Sequence, residues 1–203
     1  MVTRIIAIRH GETDWNAQSR LQGHTDIPLN ARGLAQAASL GGALCHEVVT
    51  QVYCSDLARA AQTARALAGP LGWPCAVDTG LRERGFGVME GHTYREIDEL
   101  WPEWSARWRL REPGFQPPEG ESLIQFHGRV MDTVERLVAA HAGECIVLVT
   151  HGGVLDSLYR AATHVELDAP RSWHLGNAAI NRLLHTGEGL ALVGWDDRQH
   201  LTP

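Results

Sequence analysis

Two segments of this chain end alike. Ile5-Ile6-Ala7-Ile8-Arg9-His10-Gly11 and Ile146-Val147-Leu148-Val149-Thr150-His151-Gly152 each run from apolar residues through one polar residue into His-Gly. An apolar run of that length reads as a buried strand. If both strands lie parallel in one sheet, both imidazoles emerge at its carboxyl edge, where open α/β sheets bind ligands. One such histidine need do no more than bond a backbone group. Two, each followed by a glycine that lets a ligand or another backbone come close, point to a site. Arg9 stands beside the first. A further run, Val52-Tyr53-Cys54, stops at Ser55, and the helical pattern after it carries Arg59 in its first turn. Helical side chains lean toward the N-terminus, so the guanidinium reaches back to the same edge. Two arginines, two histidines and a helix start favour a compact dianion, and phosphate fits best.

The elements that must hold these residues alternate along the chain. Strands are expected at Arg4–Ile8, Gln51–Cys54, Cys145–Val149 and Ala179–His185, with a weaker one at Leu190–Trp195. Helical patterns lie between them: Ala31–Val48 after Asn30 as N-cap, Asp56–Ala68 after Ser55 as N-cap, Glu121–His141, and Val154–Thr163 after the double glycine. The third shows its period in Leu123, Phe126, Val130, Val134, Leu137 and Val138. This alternation predicts a three-layer α/β/α fold around a mainly parallel sheet, with one antiparallel edge strand from a hairpin turning at His185–Gly189. Residues 1–203 read as one domain. Gly85–Gly120, rich in Gly, Pro and Trp, reads as a short cap insertion over the sheet edge. Within it Trp101, Trp104 and Trp108 share a helical spacing, with Pro102 suited to a first turn. They either pack the cap on the body or wall the organic part of a ligand. Arg107, Arg109 and Arg111 read as solvated, with one of them free to meet a second anionic group.

Composition removes several function classes. The chain has 203 residues, 18 Lys and Arg against 24 Asp and Glu, and a net charge of −6. That surface repels a polyanion, so no nucleic-acid partner is expected. The first apolar stretch is only Ile5–Ile8, short of the roughly 7–15 residues of a secretory core. No run approaches the ~18 of a membrane span, so no membrane partner is expected. Cys45, Cys54, Cys75 and Cys145 form no C-x-x-C pair and no disulfide framework, which predicts reduced thiols and a cytoplasmic protein. The 11 histidines include no H-x-x-H or H-x-x-x-H pair. Two arginines in the pocket also repel a cation, so neither a metal nor another cofactor is expected.

With these residues in place, a family resemblance emerges. Arg9-His10-Gly11-Glu12-Thr13, continuing Asp14-Trp15-Asn16, resembles the signature of the histidine phosphatase superfamily, the phosphoglycerate mutase-like proteins. The likeness continues in order through most of the chain. It includes Gln22-Gly23-His24-Thr25-Asp26, Ser55-Asp56-Leu57-Ala58-Arg59, Leu81-Arg82-Glu83, Glu119-Gly120-Glu121-Ser122 and His151-Gly152-Gly153. The resemblance implies that His10 is a nucleophile forming a phosphohistidine. Its other ring nitrogen should be held by a backbone carbonyl. Arg9, Arg59 and His151 would then hold the phosphoryl oxygens, with Asn16, Gln22, Gly23 and Gly152 completing the substrate site. Glu83 would be the proton donor, and Glu12 a structural residue beside Thr13. The resemblance leaves two reactions open on small phosphate esters. Arg84-Gly85-Phe86-Gly87 where mutases carry His-Tyr-Gly, His151-Gly152-Gly153 where they show His-Gly-Asn, and the short chain favour a phosphatase. A cofactor-dependent phosphoglycerate mutase is the alternative. A catalytically dead phosphate-binding module is a third reading, against which the intact set of His10, Arg9, Arg59, Glu83 and His151 argues.

Overall fold

The computed structural model describes residues 1–201. Its sheet has six strands, β1 (Thr3–Arg9), β2 (Gln51–Cys54), β3 (Cys75–Val77), β4 (Cys145–Thr150), β5 (Ile180–Thr186) and β6 (Gly189–Asp197), in the spatial order β3-β2-β4-β1-β5-β6. β1, β2, β3 and β4 pair in parallel, whereas β5 pairs antiparallel with both β1 and β6. The antiparallel edge is therefore the two-strand hairpin β5–β6. β4 is buried at every residue, which explains its unbroken apolar sequence: a parallel strand covered on both faces has no polar side to alternate with.

The described residues form seven α-helices, α1 (Asp14–Ala17), α2 (Ala31–Leu44), α3 (Ala58–Leu71), α4 (Tyr94–Leu100), α5 (Pro102–Arg109), α6 (Leu123–Ala140) and α7 (Gly152–Thr163), of which α2, α3, α6 and α7 cover the sheet. Alternate strand residues meet different layers. Ile5, Ala7, Ile146 and Leu148 pack on Phe126, Val130 and Val134 of α6 and on Val154, Leu155 and Leu158 of α7. Ile6, Ile8, Val147 and Val149 face Leu40 and Leu44 of α2 and Ala60, Ala64 and Leu67 of α3. The expected three-layer fold is thus present. Among the described residues no helix is long and apolar enough to cross a membrane.

Several helix limits differ from the sequence reading. Asn30 caps α2 as expected, its side chain accepting from Gly33 N at 2.8 Å. However, α2 stops at Leu44, and Val48 lies exposed beyond it. Ser55 is not the N-cap of α3. That position belongs to Leu57, whose side chain cannot cap, and Asp26 Oδ1 accepts from Ala58 N at 2.6 Å instead. The helix then runs past Ala68 to Gly72, whose φ of +66° ends it. α7 begins at Gly152 itself, before Val154. The strand that the sequence reading lacked, β3, is three residues long and partly exposed throughout.

The cap carries its own small apolar cluster of Leu21, Met89, Ile97 and Phe115, with Trp101, Trp104, Trp108 and Phe86 packed on it. Trp101 and Trp104 stack at 5.5 Å between ring centroids. Trp101 precedes α5 as its N-cap and Pro102 occupies the first turn, as the sequence suggested.

Candidate active site

β1 and β4 are parallel neighbours in matched register, Arg9 opposite Thr150, and His10 N donates to Thr150 O at 2.9 Å. The two His-Gly ends are consequently brought side by side, with ring centroids 5.2 Å apart. Both imidazoles are buried. His10 Nδ1 lies 2.7 Å from Gly11 O. A carbonyl can only accept, so Nδ1 carries the proton and Nε2 presents a lone pair. The expected backbone carbonyl is therefore the one belonging to the next residue. Burial, then the Arg59 and Arg9 charges, hold His10 well below the ordinary histidine range, and it is neutral at neutral pH.

Arg59 stands in the first turn of α3 and is fully buried. Its Nε donates to His151 Nδ1 at 3.3 Å, Nη1 to Thr25 O at 2.9 Å and Nη2 to Gly23 O at 2.7 Å. Since a guanidinium only donates, His151 Nδ1 accepts and its proton sits on Nε2. Burial, followed by Arg59 and then His10, likewise pushes His151 far down. Burial lowers Arg59 to about 10, against the opposing pull of Glu83, Asp26 and Glu90, so it remains a cation.

Two buried donors here have no hydrogen-bond partner among the described residues: Arg9 Nε and His151 Nε2. Arg9 anchors its other end by donating Nη1 to Leu175 O. A buried unsatisfied donor costs about 1–3 kcal/mol, more when charged, so two at one strand edge call for an acceptor. Asn16 Oδ1 accepts from Thr13 N at 3.1 Å and from Asn177 Nδ2 at 3.2 Å, leaving its amide nitrogen as the donor. Gln22 Oε1 is similarly committed, to Thr13 Oγ1 at 2.9 Å.

Glu83 follows β3 by way of a 3₁₀ turn, Thr79–Leu81. Its Oε1 accepts from Arg84 N at 2.8 Å and its Oε2 from Gly153 N, in the first turn of α7, at 3.0 Å. Glu12 holds loops instead, accepting from Asn30 Nδ2 at 3.0 Å.

A cavity of about 600 Å³ opens over this edge. Its wall includes Arg9, His10, Asn16, Gln22, Gly23, Arg59, Glu83 and Gly152, so every residue expected to act on or bind the substrate except the more deeply buried His151 reaches it. Gly152 has room, since a Cβ there would meet Arg9 and Glu83 only at 3.6 Å and beyond. Gly11 is tight for another reason: a Cβ would come within 2.4 Å of Gly33 O. It permits backbone to approach backbone, not ligand.

The wall also holds Trp108, one of the three tryptophans for which the sequence left a wall open, and residues that the sequence reading did not place there. Phe86, Tyr94 and Trp108 form an aromatic side, with Tyr94 and Trp108 stacked at 5.3 Å. Trp108 thus faces the cavity as well as packing on the cap, while Trp101 and Trp104 pack the cap alone. Arg107 and Arg109 are exposed and paired with Glu112 and Asp98. Arg111 is not solvated: its Nη2 donates to Asp156 Oδ2 at 2.7 Å and its Nε to Leu167 O at 2.8 Å. Arg171 lies on the same wall and makes no ion pair among the described residues. No group of His, Cys, Asp and Glu suited to a metal ion occurs among the described residues.

Residues 5–198 match the profile of the histidine phosphatase superfamily (branch 1). Phosphoglycerate mutase-like protein 4 of Arabidopsis thaliana is 38% identical over 201 residues, covering 97% of this chain and 86% of its own. The metal-independent phosphoserine phosphatase of the same plant is 36% identical over 204 residues, 99% of this chain and 84% of its own. Among solved structures, YhfR of Bacillus stearothermophilus superposes with a TM-score of 0.91 at 30% identity, covering 98% of this chain and all of that one.

Proposed function

Because the chain belongs to the histidine phosphatase superfamily, we propose that it is a metal-independent phosphomonoesterase working through a phosphohistidine on small phosphorylated metabolites. One observation carries this reading: a neutral His10 with its lone pair on Nε2, beside the two unpartnered buried donors Arg9 Nε and His151 Nε2. A phosphoryl group in front of His10 offers acceptors for both. His10 Nε2 attacks phosphorus in line while the bond to the leaving oxygen breaks. Arg9, Arg59, His151 and Asn16 meet the equatorial oxygens, over which the transition-state charge spreads. Gln22 fixes Thr13, and Gly23 fixes Arg59 through its carbonyl. Glu83 gives its proton to the leaving alkoxide. As a carboxylate it then takes one from the water that attacks the phosphohistidine, which frees His10.

Hydrolysis rather than isomerisation is supported by Arg84-Gly85-Phe86-Gly87, where Gly85 and Phe86 replace the His-Tyr of a mutase and leave Phe86 on the cavity wall without a hydroxyl. The name of the relative that is a metal-independent phosphoserine phosphatase points the same way. The second reading, phosphoglycerate mutase, has the name of the other Arabidopsis relative in its favour. Arg111 and Arg171 suit a substrate whose organic part carries its own anionic group.

The test is an acid- and base-stability quench with labelled substrate, run beside a product assay. We expect base-stable, acid-labile label on the peptide containing His10, and phosphate release that does not depend on added metal. Full activity in His10→Ala would remove the mechanism. With 3-phosphoglycerate and a trace of 2,3-bisphosphoglycerate, isomerisation outrunning phosphate release from every ester by about tenfold, ~1.4 kcal/mol in barrier, would establish the mutase instead.

A further inference from the structure

The segment that carries Glu83 opens with a single 3₁₀ turn, Thr79–Leu81, and then leaves helix and strand, so the carbonyls of residues 80–83 have no backbone partner. They are met by side chains. Thr150 Oγ1, at the end of β4, donates to Leu81 O at 2.8 Å. Arg129, from α6, meets the others: Nη1 donates to Gly80 O at 2.9 Å and Arg82 O at 3.1 Å, and Nη2 to Glu83 O at 3.2 Å. His24 Nε2 lies 2.8 Å from the same Glu83 carbonyl and is its second donor. The guanidinium is in turn fixed by Glu121, Nε to Oε1 at 2.9 Å and Nη2 to Oε2 at 2.7 Å, a two-pronged pair with set orientation. Glu121 Oε2 also accepts from Gly85 N at 2.8 Å, which grips the segment on the far side of Glu83. One guanidinium and one carboxylate therefore bracket the residue, while its own carboxyl is left to Arg84 N and Gly153 N.

We infer that Arg129, locked by Glu121, is a positioning residue for the proton-transfer step. It sets the backbone of residues 80–83 so that the Glu83 carboxyl meets the leaving oxygen. It touches neither the phosphoryl group nor its binding side chains, and it acts through Glu83. The inference rests on Glu83 being the proton donor. Lysine cannot replace it, because an ammonium on a flexible stem lacks the planar fork that spans three carbonyls and a carboxylate.

The experiment compares Glu83→Gln, Arg129→Met, Glu121→Gln and the double Arg129→Met/Glu83→Gln on phosphate esters running from p-nitrophenol to a simple alkyl alcohol. Inhibition by inorganic phosphate is measured in each. Glu83→Gln should lose about 10²–10⁴-fold on the alkyl ester and far less on p-nitrophenyl phosphate, whose leaving group needs no proton. Arg129→Met should show the same slope with leaving-group basicity, about 10–100-fold on the alkyl ester, since small misplacements of catalytic groups cost that much. Its phosphate inhibition should stay within about threefold, a separation that general loosening of the fold would not give. The double variant should be no worse than Glu83→Gln, because residues acting as one unit do not add.

Equal losses on all esters in Arg129→Met, or losses that multiply in the double, overturn the inference while Glu83 keeps its role. An unsloped loss in Glu83→Gln overturns the proton-donor reading, and the positioning role falls with it. If Arg129→Met does not fold, the same slope criterion is applied to Glu121→Gln, which keeps the guanidinium but loosens its lock. A flat response there overturns the inference equally.

Discussion

Gly153 leaves Glu83 no latitude. A Cβ at that position would lie 2.1 Å from Glu83 Oε1 and 3.1 Å from the Phe126 ring, so one of them must move. Phe126 is a buried core ring that resists displacement, and the carboxylate is the part that yields. Gly153→Ala should therefore fold and bind phosphate while kcat on alkyl esters falls by at least about tenfold. Steady-state kinetics beside a thermal melt checks this, and unchanged kcat would show that Glu83 works from another position. How far such residues could be read from sequence varies. His10, His151, Arg9 and Arg59 were legible because each sits at a fixed place relative to a strand end or helix start. Glu83 was not, since its segment has no period of its own. Only the family resemblance marked it. Arg111 looked like one more cation in Arg107-Trp108-Arg109-Leu110-Arg111. It lies past the end of α5 with φ of +53°, and that turn sends it back to Asp156.

The cap helices α4 and α5 divide their aromatic residues between two tasks. Trp104 stacks on Trp101 in the cap cluster, whereas Trp108 packs on that cluster and also stands on the cavity wall against Tyr94 and Phe86. Trp104→Ala should thus destabilise the cap by about 1–3 kcal/mol, less than a fully buried tryptophan because the ring is partly exposed. It should show as faster hydrogen exchange in α4 and α5. Trp108→Ala should instead raise KM for esters with bulky organic parts and leave KM for compact ones nearly constant. Reversed behaviour of the two variants would show that the rings have been given each other's roles. The same elements show what periodicity conveys. The β4 strand and α6 were readable because long apolar patterns face the core. The three-residue β3 was too short and too exposed to show any alternation. Asp26 as the partner of Ala58 N comes from a loop far away in sequence, while the nearby Ser55 is the local residue that looks like a cap.

Across the whole molecule, two imidazoles held neutral in the interior tie stability to pH. Both have their folded pKa depressed, so below the unfolded value near 6.5 the unfolded chain binds protons that the folded one refuses. Stability is then present above that value and is lost as pH falls through it. The loss steepens as pH falls, its slope bounded by about 1.4 kcal/mol per pH unit for each histidine. Urea unfolding at pH 7.5, 6.5 and 5.5 measures it, and His10→Ala together with His151→Ala should flatten the slope. An unaltered slope in that double variant would mean that the two rings titrate normally in the fold. Inorganic phosphate should oppose the acid loss by giving the rings an anion to face.

The position of β1 in the sheet also sets the order in which the protein can assemble. Its hydrogen-bonded neighbours are β4 and β5, which follow it by more than a hundred residues of chain. As the chain leaves the ribosome, this strand precedes both of its partners and has nothing to pair with until the intervening chain and β4 have followed it. Loop closure of that span must come before the contacts that reward it, which makes for slow, cooperative folding. The segment Ile5–Ile8 spends the interval as an unpaired apolar edge open to chaperones or to self-association. Because His10 sits at the end of β1 and His151 at the end of β4, this late pairing is also what brings the two imidazoles side by side. Until β1 and β4 meet, the chain holds the two rings apart.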